Sequence, residues 1–336
     1  MNSVSIGDMA RIFQSRHLTT GLKADLTRLG QELSTGIRAD ISDVVAGDFG
    51  PIADIERLLT TLDARRNVTA EASILADTMQ TTLDAIQKHG RATSLTLLSV
   101  QSNQSSATRQ VTADNARERF DMIVTSLNTH AGGRTLFGGA ATDRAALASA
   151  DNMMAAISVA IAGQTTATGV AGVVDAWFDT PLGGFETIGY LGSKNALGPF
   201  QTGDGEKVGL DFRADNSAIR EVLKGFAMAS LVADGSFTGS SQEQSNLLTM
   251  SGERMINADQ DLTTFRADLG MSQERIETAS VRNSAQRTAL EIARNDLISA
   301  DPYETATKLE AAYTQLETYY TVTARLSRLK FTDFMR

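Results

Sequence analysis

The sequence predicts a mainly α protein. Its N- and C-terminal segments form an elongated antiparallel helical rod or coiled coil, with a smaller α+β module inserted between them. Three observations carry this. Apolar residues near both ends recur at alternating spacings of three and four, the signature of a helix with one apolar stripe. Prolines stand only at 51, 181, 199 and 302, so the helix-breaking ring is absent from 52–180 and from 200–301. Glycine is sparse over 52–131, with Gly90 alone, and dense over 132–239.

The first helix is marked by Ile12, Ser15, Thr19, Leu22, Leu26, Leu29 and Leu33, a heptad-like seam that becomes apolar only from Leu22 onward. Gly36 follows as its C-cap. Residues 39–51 contain Asp40, Asp43, Gly47, Asp48, Gly50 and Pro51, which is turn chemistry and reads as a loop. From Ile52 to Asn128 the spacing is helical again, through Ile55, Leu59, Leu62, Leu75, Met79, Thr82 and Ile86. One unbroken helix over that stretch would reach about 115 Å at 1.5 Å per residue. A break or kink is therefore expected at Gly90 or in the polar run 101–106.

The character changes at Gly132. Residues 173–178, 185–191 and 207–212 are short β-compatible pieces, the last alternating Val208, Leu210 and Phe212. Pro181-Leu182-Gly183-Gly184 and Thr202-Gly203-Asp204-Gly205 read as turns. Residues 145–162 and 216–233 read as helices, the latter with Ile219, Val222, Leu223, Phe226 and Leu231 on its apolar side. A long stripe then resumes through Leu247, Met250, Met255, Leu262, Phe265 and Leu269, followed by Ile276, Asn283, Leu290 and Leu297 every seven residues. Asp301-Pro302 interrupts it, since a residue before proline is driven out of the α region, while Pro302 suits the first turn of a new helix. That last helix carries Leu309, Ala312, Leu316, Tyr319, Thr323 and Leu326, with Tyr313 and Tyr320 alongside. The resulting division is 1–40, an N-terminal assembly helix; 41–131, rod; 132–245, inserted module; 246–300, rod; and 301–336, a C-terminal assembly helix.

Composition excludes several chemistries. There is no cysteine, hence no disulfide, thiolate zinc site, iron–sulfur cluster or cysteine nucleophile. His17, His89 and His130 are far apart in sequence, which does not suit a metal site. A net charge of −9 opposes bulk nucleic-acid binding, so Arg65, Arg66, Arg117 and Arg119 read as solvated faces or ion-pair partners. Gly203-Asp204-Gly205 lacks the sequence context of a phosphate loop, and Asp259 with Asp261 reads as a solvated helix face rather than an acid–base pair. No catalytic residue, cofactor or metal is expected. Residues 1–10 lack the pattern of a cleaved signal peptide, and no stretch is long and apolar enough to span a bilayer.

Neither terminal stripe can be buried by its own helix. The two ends are therefore expected to pair with each other or with further copies. The expected assembly interface is Leu22, Leu26, Leu29, Leu33, Leu309, Leu316, Tyr319, Leu326, Phe331 and Phe334.

Three segments add a resemblance. They are Leu29–Arg38 (LGQELSTGIR), Gly133–Gly139 (GRTLFGG), and the C-terminal stretches Ala300–Ala306 (ADPYETA) and Leu326–Arg336 (LSRLKFTDFMR). In this order and position they resemble the flagellin superfamily, and within it the hook–filament junction family of hook-associated protein 3 more than filament flagellins. The stretch 40–51 is longer than the family pattern, with its aspartates scattered. The resemblance implies a non-enzymatic axial component of the extracellular bacterial flagellum, exported by the flagellar type III pathway without a cleaved signal. Its implied partners are flagellin, the preceding hook-associated junction protein, copies of itself in a ring, and an export chaperone. A minor filament flagellin is the alternative within the class; a cytoplasmic helical adaptor or binding protein is the alternative outside it.

Overall fold

In a computed structural model, which describes residues 6–44, 47–100 and 105–334, helices dominate. In chain order they are α1 (Ile6–Thr35), α2 (Ile41–Val44), α3 (Gly50–Leu98), α4 (Ser106–Leu127), α5 (Ala150–Ala160), α6 (Ala167–Asp179), α7 (Ser217–Ala233), α8 (Ser241–Ile298) and α9 (Pro302–Phe334). The sheet content is two antiparallel ladders. Strands β1 (His130–Ala131) and β2 (Arg134–Thr135) pair with His130 opposite Thr135. Strands β3 (Phe200–Gln201) and β4 (Lys207–Val208) pair with Phe200 opposite Val208.

The element boundaries follow local chemistry. Helix α1 ends where Gly36 takes φ +70°, a conformation that costs glycine little. The Ser105 hydroxyl accepts from the Thr108 N–H at 3.2 Å and caps α4, and Asn216 caps α7 in the same way. The Asp301 carboxylate accepts from the N–H groups of Tyr303 (2.8 Å) and Glu304 (3.1 Å), opening α9 at Pro302.

Five expectations are corrected. Helix α3 runs through Gly90 without a break; the flanking Ile86 and Leu97 are buried, and their packing outweighs the roughly 1 kcal/mol propensity cost of one glycine. The interruption falls instead between Leu98 and Ser106, and 101–104 of the expected polar run lie outside the described residues. Residues 173–178 are helical, within α6, because the apolar spacing extends back through Val170 and Ala167; a six-residue apolar run alone does not distinguish strand from helix. Residues 185–189 form a single π-helical turn, closed by the Tyr190 N–H on the Phe185 carbonyl at 2.6 Å. Its Phe185 ring stacks on Phe178 and Tyr190. In 207–212 only Lys207–Val208 is strand, and the 39–51 loop contains the one-turn α2.

The chain divides into two compact units, 63–284 and 1–62 with 285–336. Unit 63–284 holds one contiguous apolar core. Its centre is α7, where Ile219, Leu223, Phe226 and Leu231 are fully buried, packed chiefly on α4 and α6. The α3 and α8 portions of this unit run antiparallel: Gln87 donates to Thr263 Oγ1 (2.7 Å), Arg91 Nε to Asp259 (2.6 Å) and Gln273 to Asp77 (2.6 Å). In the other unit α1 packs on α9.

Candidate assembly surface

The surface in question is built by α1 and α9. They run antiparallel, since the Ser15 hydroxyl meets the Tyr319 hydroxyl while Ile37 bridges Ser299. On α1, Leu22 and Leu26 are half-buried and Leu29 is buried. On α9, Leu309, Leu316 and Tyr319 are half-buried, with Thr305 and Ala312 buried between them. The seams thus face each other within one chain. Leu33 is the exception at 41% exposed, near the helix end. Leu326, Phe331 and Phe334 fall within α9, but their side chains lie outside the described residues.

Where the two helices meet the chain turns, a corner holds them together. The Arg38 N–H donates to the Ile298 carbonyl (3.0 Å), the Ala300 N–H to the Gly36 carbonyl (2.9 Å), and Arg38 Nε to the Ser299 carbonyl (3.2 Å). Glu32 is buried, and its carboxylate accepts from Arg28 (3.2 Å) and from the Ala39 N–H (3.0 Å). A charge-assisted bond of this kind is about twice as strong as a neutral one. A cavity of about 170 Å³ remains, lined among others by Arg28, Glu32, Arg38, Asp301, Glu304 and Lys308. Opposed charges line it closely: Glu304 sits beside Lys308, whose hydrogen bond holds the carboxyl below its usual range.

A second apolar set remains uncovered. Met9, Phe13 and Leu18 on α1, and Tyr303, Tyr313, Tyr320 and Val322 on α9, are all exposed, Phe13 at 75%. Nine residues separate Phe13 from Leu22, about half a turn around the helix at ~100° each. Phe13 therefore points away from the α9 seam. Met9, Phe13 and Tyr303 were not among the expected interface residues, because a heptad search keeps only the main stripe. The signal that would have found Met9 and Phe13 is their own i,i+4 spacing off that stripe.

Asp259, Arg65, Arg117, His89 and His130 are engaged locally. Asp259 is drawn two ways: burial pushes its carboxyl up, but the bonds from Arg91 and Gln87 leave it below its ordinary value. Arg65 pairs with Asp204, and Arg117 with Asp151 and Asp234. His89 Nδ1 contacts Arg119 at 2.7 Å and His130 Nε2 contacts Thr135 at 3.0 Å. Among the described residues no three His, Asp or Glu side chains are grouped to hold a metal ion, and no helix is long and apolar enough to cross a membrane.

Residues 254–335 match the family of the bacterial flagellin C-terminal helical region, so the resemblance to the flagellin superfamily is borne out by its C-terminal part. The fold is similar to that of FlgL from Bacillus cereus, with a TM-score of 0.50 at 15% identity, over 70% of this chain and 96% of that one. A provisionally named flagellar hook-associated protein from Vibrio parahaemolyticus aligns with a TM-score of 0.40 at 12% identity, over 88% of this chain and all of that one. No curated protein matches the chain in sequence at a significant level.

Proposed function

We propose that this chain is a structural, non-catalytic axial component of the bacterial flagellum, and specifically a hook–filament junction protein of the hook-associated protein 3 type. The observation that carries the reading is the state of the α1–α9 unit. Its two seams satisfy each other, yet Met9, Phe13, Tyr303 and Tyr313 remain exposed beside them. Exposed apolar side chains spread along a unit with little core of its own offer contact points to other chains. Copies of this chain in a ring, the preceding hook-associated protein on one side and flagellin on the other would cover it. The flagellin-type C-terminal region supports that choice of partners.

The mechanism is coupled ordering and association: beyond the seam they share, the terminal helices gain further burial when neighbours supply it, offsetting their ordering entropy. In this reading 1–40 and 301–336 are the assembly helices, 41–131 and 246–300 the rod, and 132–245 the inserted module. A chain with such weakly held ends suits export through the flagellar type III channel, with a chaperone covering the C-terminal Phe331 and Phe334.

A deletion strain tests this. Flagellin should appear as monomer in the medium while hooks persist on the cells. Normal filaments in that strain would overturn the junction role. Immunolabel along the filament would indicate a minor flagellin instead, and a protein retained in the cytosol with export active would indicate an adaptor.

A further inference from the structure

Asp-Gly occurs twice in the chain, at Asp204-Gly205 and Asp234-Gly235. Glycine after aspartate is the pairing in which the backbone nitrogen approaches the side-chain carboxyl most freely, since no Cβ obstructs it. The two sites differ sharply in setting. Asp204 lies at the tip of the β3–β4 hairpin, its side chain 93% exposed. The bonds closing that turn run from the Thr202 and Gly203 N–H groups to the Glu206 carbonyl and from the Glu206 N–H to the Gly203 carbonyl. The Gly205 nitrogen takes no part in them, and a Cβ built on Gly205 would meet nothing within 4 Å. Asp234, by contrast, ends α7. Its side chain is 35% exposed and faces Arg117, and the Gly235 N–H is engaged on the Val232 carbonyl at 3.3 Å.

We infer that Asp204 is a site of spontaneous isomerisation to isoaspartate in the folded protein, and that Asp234 is protected. The Gly205 nitrogen attacks Asp204 Cγ, a C–N bond forms, and the carboxyl hydroxyl leaves with the amide proton as water. Water then adds back to the succinimide. Attack at Cγ restores aspartate; attack at the original main-chain carbonyl breaks the old peptide bond and leaves the chain running through Cβ and Cγ. Mass is unchanged and the backbone gains one carbon.

The position gives the change a consequence. The hairpin is read by both long helices of its unit. Arg65 of α3 pairs with Asp204 itself; from α8, Arg282 pairs with Glu206, Arg275 donates to the Lys207 carbonyl at 3.1 Å, and buried Asn283 donates to the Thr202 carbonyl at 2.9 Å. An extra backbone carbon at 204 moves the carboxylate away from Arg65 and misfits the two-residue ladder behind it. The ion pair also slows the reaction, because it favours the ionised carboxylate, which is the less electrophilic form.

The test is ageing of the full chain at neutral pH and 37 °C, followed by peptide mapping with electron-transfer fragmentation, which separates isoaspartate from aspartate at each site. In the folded protein isoaspartate at 204 should exceed that at 234 by about tenfold, the factor that one net hydrogen bond on the Gly235 nitrogen holds back. In urea the two sites should react alike. Arg65→Gln should hasten reaction at 204 by about threefold, as loss of one exposed ion pair allows. Hydrogen exchange over 200–208 should quicken as wild type ages and stay constant in Asp204→Glu, which cannot form the five-membered ring. Equal isomerisation at the two sites in the folded chain, or reaction at 204 only in urea, would overturn the assignment.

Discussion

Unit 63–284 and the unit formed by 1–62 with 285–336 are both built from long amphipathic helices, but they solve burial differently. The first closes around α7, where six phenylalanines of the unit (Phe120, Phe137, Phe178, Phe185, Phe226 and Phe237) are fully buried. The second has, among its described residues, only Leu29, Leu62, Ile298, Ala300 and Ala312 as buried apolar side chains, while Phe13 and Tyr303 stand in solvent. A fully buried Phe or Leu contributes about 1.5–3 kcal/mol, and ordering a residue's backbone costs about 1–2 kcal/mol. One unit therefore carries a large core of its own, and the other buries few apolar side chains and leaves Phe13 and Tyr303 uncovered. The polar interactions divide in the same way. Lys224, buried on α7, is surrounded by Asp175, Asp179 and Glu221, with Arg254 donating to Asp175 at 2.9 Å. The α1–α9 unit is held instead by a surface corner at Gly36–Arg38.

The largest effect that would sharpen this contrast is Phe226→Ala. Removing a fully buried aromatic should cost about 3–5 kcal/mol, seen as a lower denaturation midpoint for unit 63–284 in the isolated chain. Lys224→Ala should follow at about 2–4 kcal/mol, below the full cost of an orphaned buried charge because its carboxylate partners are partly solvated. A midpoint shift under 1 kcal/mol would mean the network is dispensable. Leu29→Ala should cost about 1–2 kcal/mol in the dilute monomer, since its site can collapse toward solvent, yet it should impair incorporation into the flagellum far more than Phe226→Leu does. Near-equal defects in incorporation would break the comparison. The smallest effects belong to the corner: Gly36→Ala at φ +70° and loss of the Asp301 cap in Asp301→Ala should each cost about 1 kcal/mol, read as faster exchange at the adjoining ends of α1 and α9.

Much of this contrast was legible in the sequence. The Leu22–Leu33 stripe, Gly36 at the end of α1, Asp301-Pro302 at the start of α9 and the apolar face of α7 all rest on local chemistry that survives folding. What was not legible depended on tertiary contact. Val173–Phe178 reads as a strand until the burial of Val170 and Trp177 is known, and the π turn at Phe185 exists because its ring fits among Phe178 and Tyr190. Gly90 reads as a break because its packed neighbours are invisible in sequence. For the assembly surface, spacing identified the seams and offered their pairing with each other as one of two arrangements, but it did not show that Met9 and Phe13 would remain uncovered.

The central claim is that the terminal unit depends on neighbouring chains and unit 63–284 does not. Hydrogen exchange on the same protein, as dilute monomer and in isolated hook–filament structures, tests it most directly. The account predicts that 6–35 and 302–334 exchange quickly in the monomer and become protected on assembly, while 217–233 is protected in both. Terminal helices as protected in the dilute monomer as α7, with no gain on assembly, would contradict it.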